Sequence, residues 1–184
     1  MPAPVIVVEY DPGWPALYEE ESRLILRTVG SVVLSLEHFG STAVPGLGGK
    51  PIIDIMGGVR RLAEAEQCVA PLAHIGYEYV REYNELIPER RYFHKGAPEA
   101  RLFHLHMVEH NGDFWEKHLL FRDWLRSHPE DAQRYYQLKK DLVARFGRDR
   151  EGYTQAKTPF VESIVARARR AQDARSGAVG RDRH

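Results

Sequence analysis

The chain of 184 residues has one cysteine, Cys68, so it forms no internal disulfide. It carries no net charge, because 26 Lys and Arg offset 26 Asp and Glu. That balance removes the broad basic face on which sequence-independent nucleic-acid binders depend, and nucleic acid is not an expected partner. No apolar run is long enough to span a bilayer, and no basic-then-apolar leader opens the chain. The expectation is a cytoplasmic protein without a membrane partner. A P-loop of the GxxxxGK[ST] form is missing, which sets aside kinases of that class. Repeats and low-complexity segments are missing too. What remains is an ordinary globular composition, 43% hydrophobic and 28% charged, long enough for one full core.

The apolar pattern switches between strand and helix periods. A β-branched run at residues 5–8 reads as a short strand. Asp11 and Pro12 suit the start of a helix that continues to about residue 30, with Trp14, Leu17, Tyr18, Ile25 and Val29 on one stripe. Strands are expected at 32–39 and 51–59, a helix at 61–72, and a strand around Tyr77 and Tyr79. Residues 91–95 and 102–108 read as a hairpin closed by residues 96–100. From Asp113 the pattern is helical to about residue 172, with breaks at Ser127-His128 and Gly147. The expected fold class is α/β or α+β. One domain over residues 1–172 has a mixed sheet flanked by helices and a helical C-terminal part, and a disordered tail follows at 173–184.

One stretch concentrates the chemistry. Residues 40–54 read GSTAVPGLGGKPIID and join two strand patterns. A strand that ends in Gly40, Ser41 and Thr42 exposes backbone N–H groups and two hydroxyls where a phosphate could sit. Lys50 adds a positive charge. Asp54 lies among Ile52, Ile53 and Ile55, where a carboxylate is costly unless it is paired or holds a metal. His104 and His106 lie two apart in a strand pattern and share a face, opposite Phe103, Leu105 and Met107. If that strand neighbours Asp54, two imidazoles and one carboxylate converge, a donor set better suited to zinc or a transition metal than to magnesium. Alternatively, one imidazole orients or deprotonates an attacking hydroxyl. Arg91 and Lys95 alternate onto one face with Phe93 and read either as a phosphate rail or as a solvated sheet edge. Lys139 and Lys157 fall inside apolar helical stripes, so their ammonium groups either snorkel outward or reach into a cleft.

Residues 40–54 closely resemble the signature of the GrpB family of predicted nucleotidyltransferases. The resemblance returns in RYFHKG at residues 91–96, HLH at 104–106, FRDWLR at 121–126 and YTQAK at 153–157. The family is similar to a branch of the DNA polymerase beta type nucleotidyltransferase superfamily. The resemblance implies a nucleotidyltransferase-like sheet, Gly40 and Ser41 against nucleotide phosphates, an NTP as substrate, and a divalent metal (magnesium, manganese or zinc) at Asp54, His104 and His106. The superfamily carries two carboxylates at i and i+2 and a third on a later strand. Here Asp54 is flanked by Ile52 and Met56, and the two histidines stand where the resemblance implies the third acid.

The candidate phosphate ligands are Gly40, Ser41, Thr42, Lys50, Arg91, Lys95, Lys139 and Lys157. Three functions are expected alternatives. The first is transfer of a nucleotidyl group from an NTP to a small-molecule or protein hydroxyl. The second is a non-catalytic module for a nucleotide or phosphorylated metabolite, linked to coenzyme A synthesis because related domains are fused to dephospho-coenzyme A kinase. The third is a metal-dependent enzyme built on Asp54, His104 and His106.

Overall fold

Alternating apolar residues in five extended segments build one mixed sheet, ordered β1-β2-β5-β4-β3. The computed structural model describes residues 4–97 and 100–179. The strands are β1 (Ser35–Phe39), β2 (Ile53–Val59), β3 (Tyr77–Tyr79), β4 (Arg90–Ala97) and β5 (Ala100–Glu109). Strands β2 and β5 run parallel, and all other neighbours are antiparallel. The helices are α1 (Trp14–Val29), α2 (Val69–His74), α3 (Tyr83–Leu86), α4 (Asp113–Ser127), α5 (Pro129–Phe146), α6 (Arg150–Ala156) and α7 (Thr158–Val179). This is the mixed α/β architecture that the pattern predicts.

Paired residues share a face, so the register sorts the sheet into two unlike surfaces. One carries Ile53, Ile55, Phe93, Leu105 and Met107, packed with Ile25 and Val29 of α1 and Leu72 of α2. The other aligns Phe39, Asp54, His104 and His94 in one row, and Met56, His106 and Tyr92 in the next. Its apolar end, with Phe39, Met56 and Val108, packs on Trp115 of α4. Its polar end stays partly open. The loop that follows β1 is clamped by the C-terminal helices, where Val44 and Leu47 pack with Leu125 and Tyr135.

Several local expectations need correction. Residues 5–8 form no strand: Val8 makes an isolated bridge to Gly49 and the Val5 amide donates to the Gly147 carbonyl, so no continuous ladder forms. Asp11 is not the helix cap. It accepts a 2.7 Å hydrogen bond from the Gly13 amide, and α1 begins at Trp14. The helix expected at 61–72 is a 3-10 segment, Leu62–Cys68, followed by α2. Pro71 supplies the reason: proline is tolerated only in the first turn of an α-helix, so the α geometry starts just before it. The hairpin strands run on through Ala97 and from Ala100, which shortens the expected connection to residues 98–99, outside the described residues. The tail expected from residue 173 is helical as far as Val179, and residues 180–184 lie outside the described residues.

Gly40 tests the join between β1 and the loop. Its backbone sits at φ 71 and ψ −170, a conformation open essentially to glycine alone. A Cβ there would also lie 2.5 Å from Asp54 Oδ2. Gly46 has φ 77 but nothing within 4 Å of its Cβ position. In urea unfolding, Gly40→Ala should therefore destabilise by about 1–3 kcal/mol and by more than Gly46→Ala. Equal costs would mean that the carboxylate does not occupy that space.

Candidate functional site

The site grows from the turn after β1. Gly40 leads into a 3-10 turn, Ser41–Ala43, that three tethers hold. His38 Nε2 lies 2.9 Å from Thr42 Oγ1, and Arg126 Nε donates to the Ala43 carbonyl at 2.9 Å. Lys139 Nζ donates to Ser41 Oγ at 2.8 Å and also to the Gly48 carbonyl. The Thr42 hydroxyl, expected at a phosphate, is thus engaged by His38. The Ser41 hydroxyl accepts from Lys139 and keeps its own proton to donate. His38 itself belongs to the other sheet face, where its ring stacks on Tyr18 at 4.7 Å.

Three lysines converge here from distant parts of the chain. Lys50 Nζ and Lys157 Nζ lie 4.7 and 4.6 Å from the centre of the same Tyr153 ring. Lys139 Nζ sits 4.7 Å from the Tyr135 ring and is buried at 2% exposure. Among the described residues none of the three forms an ion pair. Burial pushes Lys139 down to about 7, and repulsion from Lys157 adds to it. Burial and the nearby Lys50 bring Lys157 down to about 8, with Asp54 opposing. Lys50 is lowered as well, by burial first and by Arg150, again with Asp54 opposing. All three line a cleft of about 720 Å³ together with Ser41 and Asp54, and Phe114 and His118 form part of its wall.

Asp54 meets the histidines because β2 and β5 are neighbours. Its Oδ1 lies 3.3 Å from His104 Nδ1 and 3.8 Å from His106 Nε2. The three residues each bring one ligand-type atom within 4.8 Å of the others, which on spacing alone could hold a metal. Burial disfavours the charged carboxylate, yet the adjacent imidazoles of His104 and His106 outweigh it and hold Asp54 well below the usual carboxylate range. Burial drives His106 down to about 3, and Arg90 adds to the effect. Arg90, outside the strand expected at 91–95, joins the cluster. Its Nη1 lies 2.8 Å from His106 Nδ1, and its guanidinium sits 5.0 Å from the Tyr92 ring. Alternation with Tyr92 and His94 would have found it had β4 been started one residue earlier.

Arg91 and Lys95 are not brought to the cleft. They share a face with Phe93, which is fully buried in the core under α1 and α2. There Arg91 Nε pairs with Glu66 at 3.2 Å and Lys95 Nζ with Glu21 at 2.8 Å. Neither reading from sequence holds for them, because β4 lies inside the sheet between β5 and β3, not at an edge. The burial of Phe93 decides which way this face points.

Comparison with known proteins agrees with the sequence resemblance. A family model described as GrpB protein matches residues 4–167. A UPF0157 protein of Pseudomonas aeruginosa is 40% identical over 165 residues, which cover 88% of this chain and 66% of that protein. A dephospho-CoA kinase of Mycolicibacterium paratuberculosis is 30% identical over 188 residues, 90% of this chain and 46% of the kinase. The chain thus spans no more than about two thirds of the length of these curated relatives. The crystal structure of conserved protein GrpB from Enterococcus faecalis superposes with a TM-score of 0.78 at 34% identity, over 89% of this chain and 96% of that one. Terminal uridylyl transferase 4 from Trypanosoma brucei with bound CTP aligns over 79% of this chain and 48% of that one at 20% identity and a TM-score of 0.42, too slight a likeness to argue from.

Two expected outcomes follow from this geometry. Burial and repulsion between lysines bring Lys139 and Lys157 down to about 7 and about 8, and a bound anion favours their charged forms. Anion binding at about pH 8 should therefore take up protons, and affinity should fall as pH rises through that region. Calorimetry of inorganic triphosphate binding in buffers of different ionisation heat reads the uptake directly. The same depressed values mean that the unfolded chain holds more protons, so these groups make stability rise with pH between roughly 7 and 10. The second outcome separates the two faces. Lys95→Met should cost about 1–3 kcal/mol by stranding the buried Glu21 carboxylate, with triphosphate affinity unchanged. Lys157→Met should weaken triphosphate binding at pH 7 without comparable loss of stability.

Proposed function

The chain belongs to the GrpB family, and we propose that its cleft binds a nucleoside triphosphate and passes the nucleotidyl group to a hydroxyl acceptor. One observation carries this reading. Ser41, Lys50, Lys139 and Lys157 converge in a cleft beside Asp54, and the lysines have no ion-pair partners among the described residues. Cations elsewhere in the fold, such as Arg91, Lys95 and Arg122, are paired with acids. One buried and two half-buried ammonium groups that repel one another leave a demand for negative charge that a polyphosphate meets.

In the proposed step the acceptor oxygen bonds to the α-phosphorus, the bond from that phosphorus to the bridging oxygen breaks, and pyrophosphate leaves. The hydroxyl proton goes to a base on the Asp54 side of the cleft. Lys50, Lys139 and Lys157 offset charge on the triphosphate and on the leaving pyrophosphate, and the Ser41 hydroxyl donates to a phosphate oxygen. Positioning supplies much of the rate. Magnesium or manganese that arrives with the phosphates suits the Asp54 carboxylate, and would add charge neutralisation there.

A specific observation keeps the binding-module reading in view. Met56, two residues past Asp54 on the same face, is wholly buried with Phe39, Val108 and Trp115. No second carboxylate stands at that position. A nucleotide or phosphorylated metabolite could then be held without turnover. The similarity to a dephospho-CoA kinase supports a place for such a module near coenzyme A synthesis.

Incubation with each of the four α-labelled NTPs, magnesium or manganese, and a cell-extract acceptor pool should give metal-dependent release of pyrophosphate. Asp54→Asn should lower it at least about 100-fold and leave nucleotide binding in place. Wild-type binding without any turnover would favour the module. Absence of binding to every nucleotide would sink both readings.

A further inference from the structure

We infer that Arg90 holds the proton of His106 on Nε2, which makes His104 and His106 an electrostatic cradle for the Asp54 carboxylate and not a transition-metal centre. The inference deepens the proposed function, since it concerns how Asp54 is presented to the cleft. The contact itself requires no nucleotide.

The argument is one of proton count. A guanidinium has five N–H donors and no acceptor. Its Nη1 is 2.8 Å from His106 Nδ1, so that nitrogen must offer a lone pair. A neutral imidazole has a single N–H, which then sits on Nε2. His106 Nε2 faces Asp54 Oδ1 at 3.8 Å and has no hydrogen-bond partner among the described residues. An N–H directed there is attracted to the carboxylate, whereas a lone pair would be repelled. To ligate a metal through Nε2, His106 would have to become an imidazolate or Arg90 would have to withdraw.

Ligating histidines show the reverse arrangement. Their second nitrogen donates to a carboxylate, a carbonyl or a water, which raises the basicity of the first. Arg90 instead pushes positive charge toward the ring and places a further cation beside the position a metal would take. Arg90 is also built in. It pairs with Val108 in the β4–β5 register, and its guanidinium lies 5.0 Å from the Tyr92 ring.

The consequence for Asp54 is directional. Its Oδ1 is the oxygen nearest both histidines, at 3.3 and 3.8 Å. Its Oδ2 faces the Gly40 turn, where an added Cβ would be 2.5 Å away. The second oxygen is therefore the one left for a ligand hydroxyl or for a hard cation carried by phosphates. Arg90, His104 and His106 are positioning residues for that oxygen.

Long-range proton–nitrogen NMR of the full chain with labelled histidine tests the inference, with His106 assigned through His106→Gln. The expected wild-type result is the Nε2–H tautomer, unchanged by chelator and by one equivalent of zinc. Arg90→Lys keeps a donor and should keep that tautomer. Arg90→Met should release it and raise zinc affinity at least about tenfold, a gain lost again when His106→Gln is added. An Nδ1–H tautomer in the wild type would overturn the inference. So would one equivalent of zinc, iron or manganese that survives chelator and gel filtration in the wild type but not in His106→Gln. If Arg90→Met does not fold, the wild-type tautomer decides alone. Since no nucleotide is present, failure here is distinguishable from absence of nucleotidyl transfer.

Discussion

A carboxylate in the middle of a sheet must be satisfied within that sheet, and Asp54 is where this fold concentrates the demand. β2 lies between β1 and β5, so the groups that answer Asp54 come from both neighbours. The β5 register sets His104 directly beside it and His106 one row on. From β1, Phe39 pairs with Asp54, and the next residue, Gly40, leaves room for Oδ2. Carboxylate, imidazoles and glycine turn are one unit. Moving any of them leaves a half-buried charge without partners, which costs more than an exposed mismatch would.

The C-terminal helices complete that unit with the opposite charge. Ser41 and Lys139 are 98 positions apart and joined by a 2.8 Å hydrogen bond. The turn that bears Ser41 is also tied to α4 through Arg126 and to β1 through His38. The sheet presents a carboxylate, while α5, the loop before β2 and the junction of α6 and α7 present ammonium groups to the same cleft.

The contrast between paired and unpaired cations gives the molecule its polarity. On the α1 and α2 face, Lys95 and Arg91 meet Glu21 and Glu66. Between β1 and α4, Arg122 meets Glu37 at 2.6 Å. These pairs close the fold. In the cleft, Lys50 and Lys157 lie against Tyr153 and Lys139 lies against Tyr135. Aromatic faces soften a buried ammonium without neutralising it. The cleft thus differs from the opposite face in leaving its cations without acid partners among the described residues.

Much of this was legible in the sequence. Alternation alone put His104 with His106 and set them against Phe103, Leu105 and Met107. The helical stripes marked Lys139 and Lys157 as cations on apolar faces. Other features were not legible. Arg91 and Lys95 were placed together correctly, but only the core around Phe93 turned them away from the cleft. Arg90 was missed because strand ends depend on what pairs with them. Thr42 looked like a phosphate ligand until His38 was found against its hydroxyl. The sequence by itself determined which side chains share a face, because strand and helix periods are local properties of the backbone. Only the tertiary structure decided which face opens on the cleft and which nitrogen of His106 bears the proton, because both depend on charges and bulk delivered from β4, α1, α2 and α5.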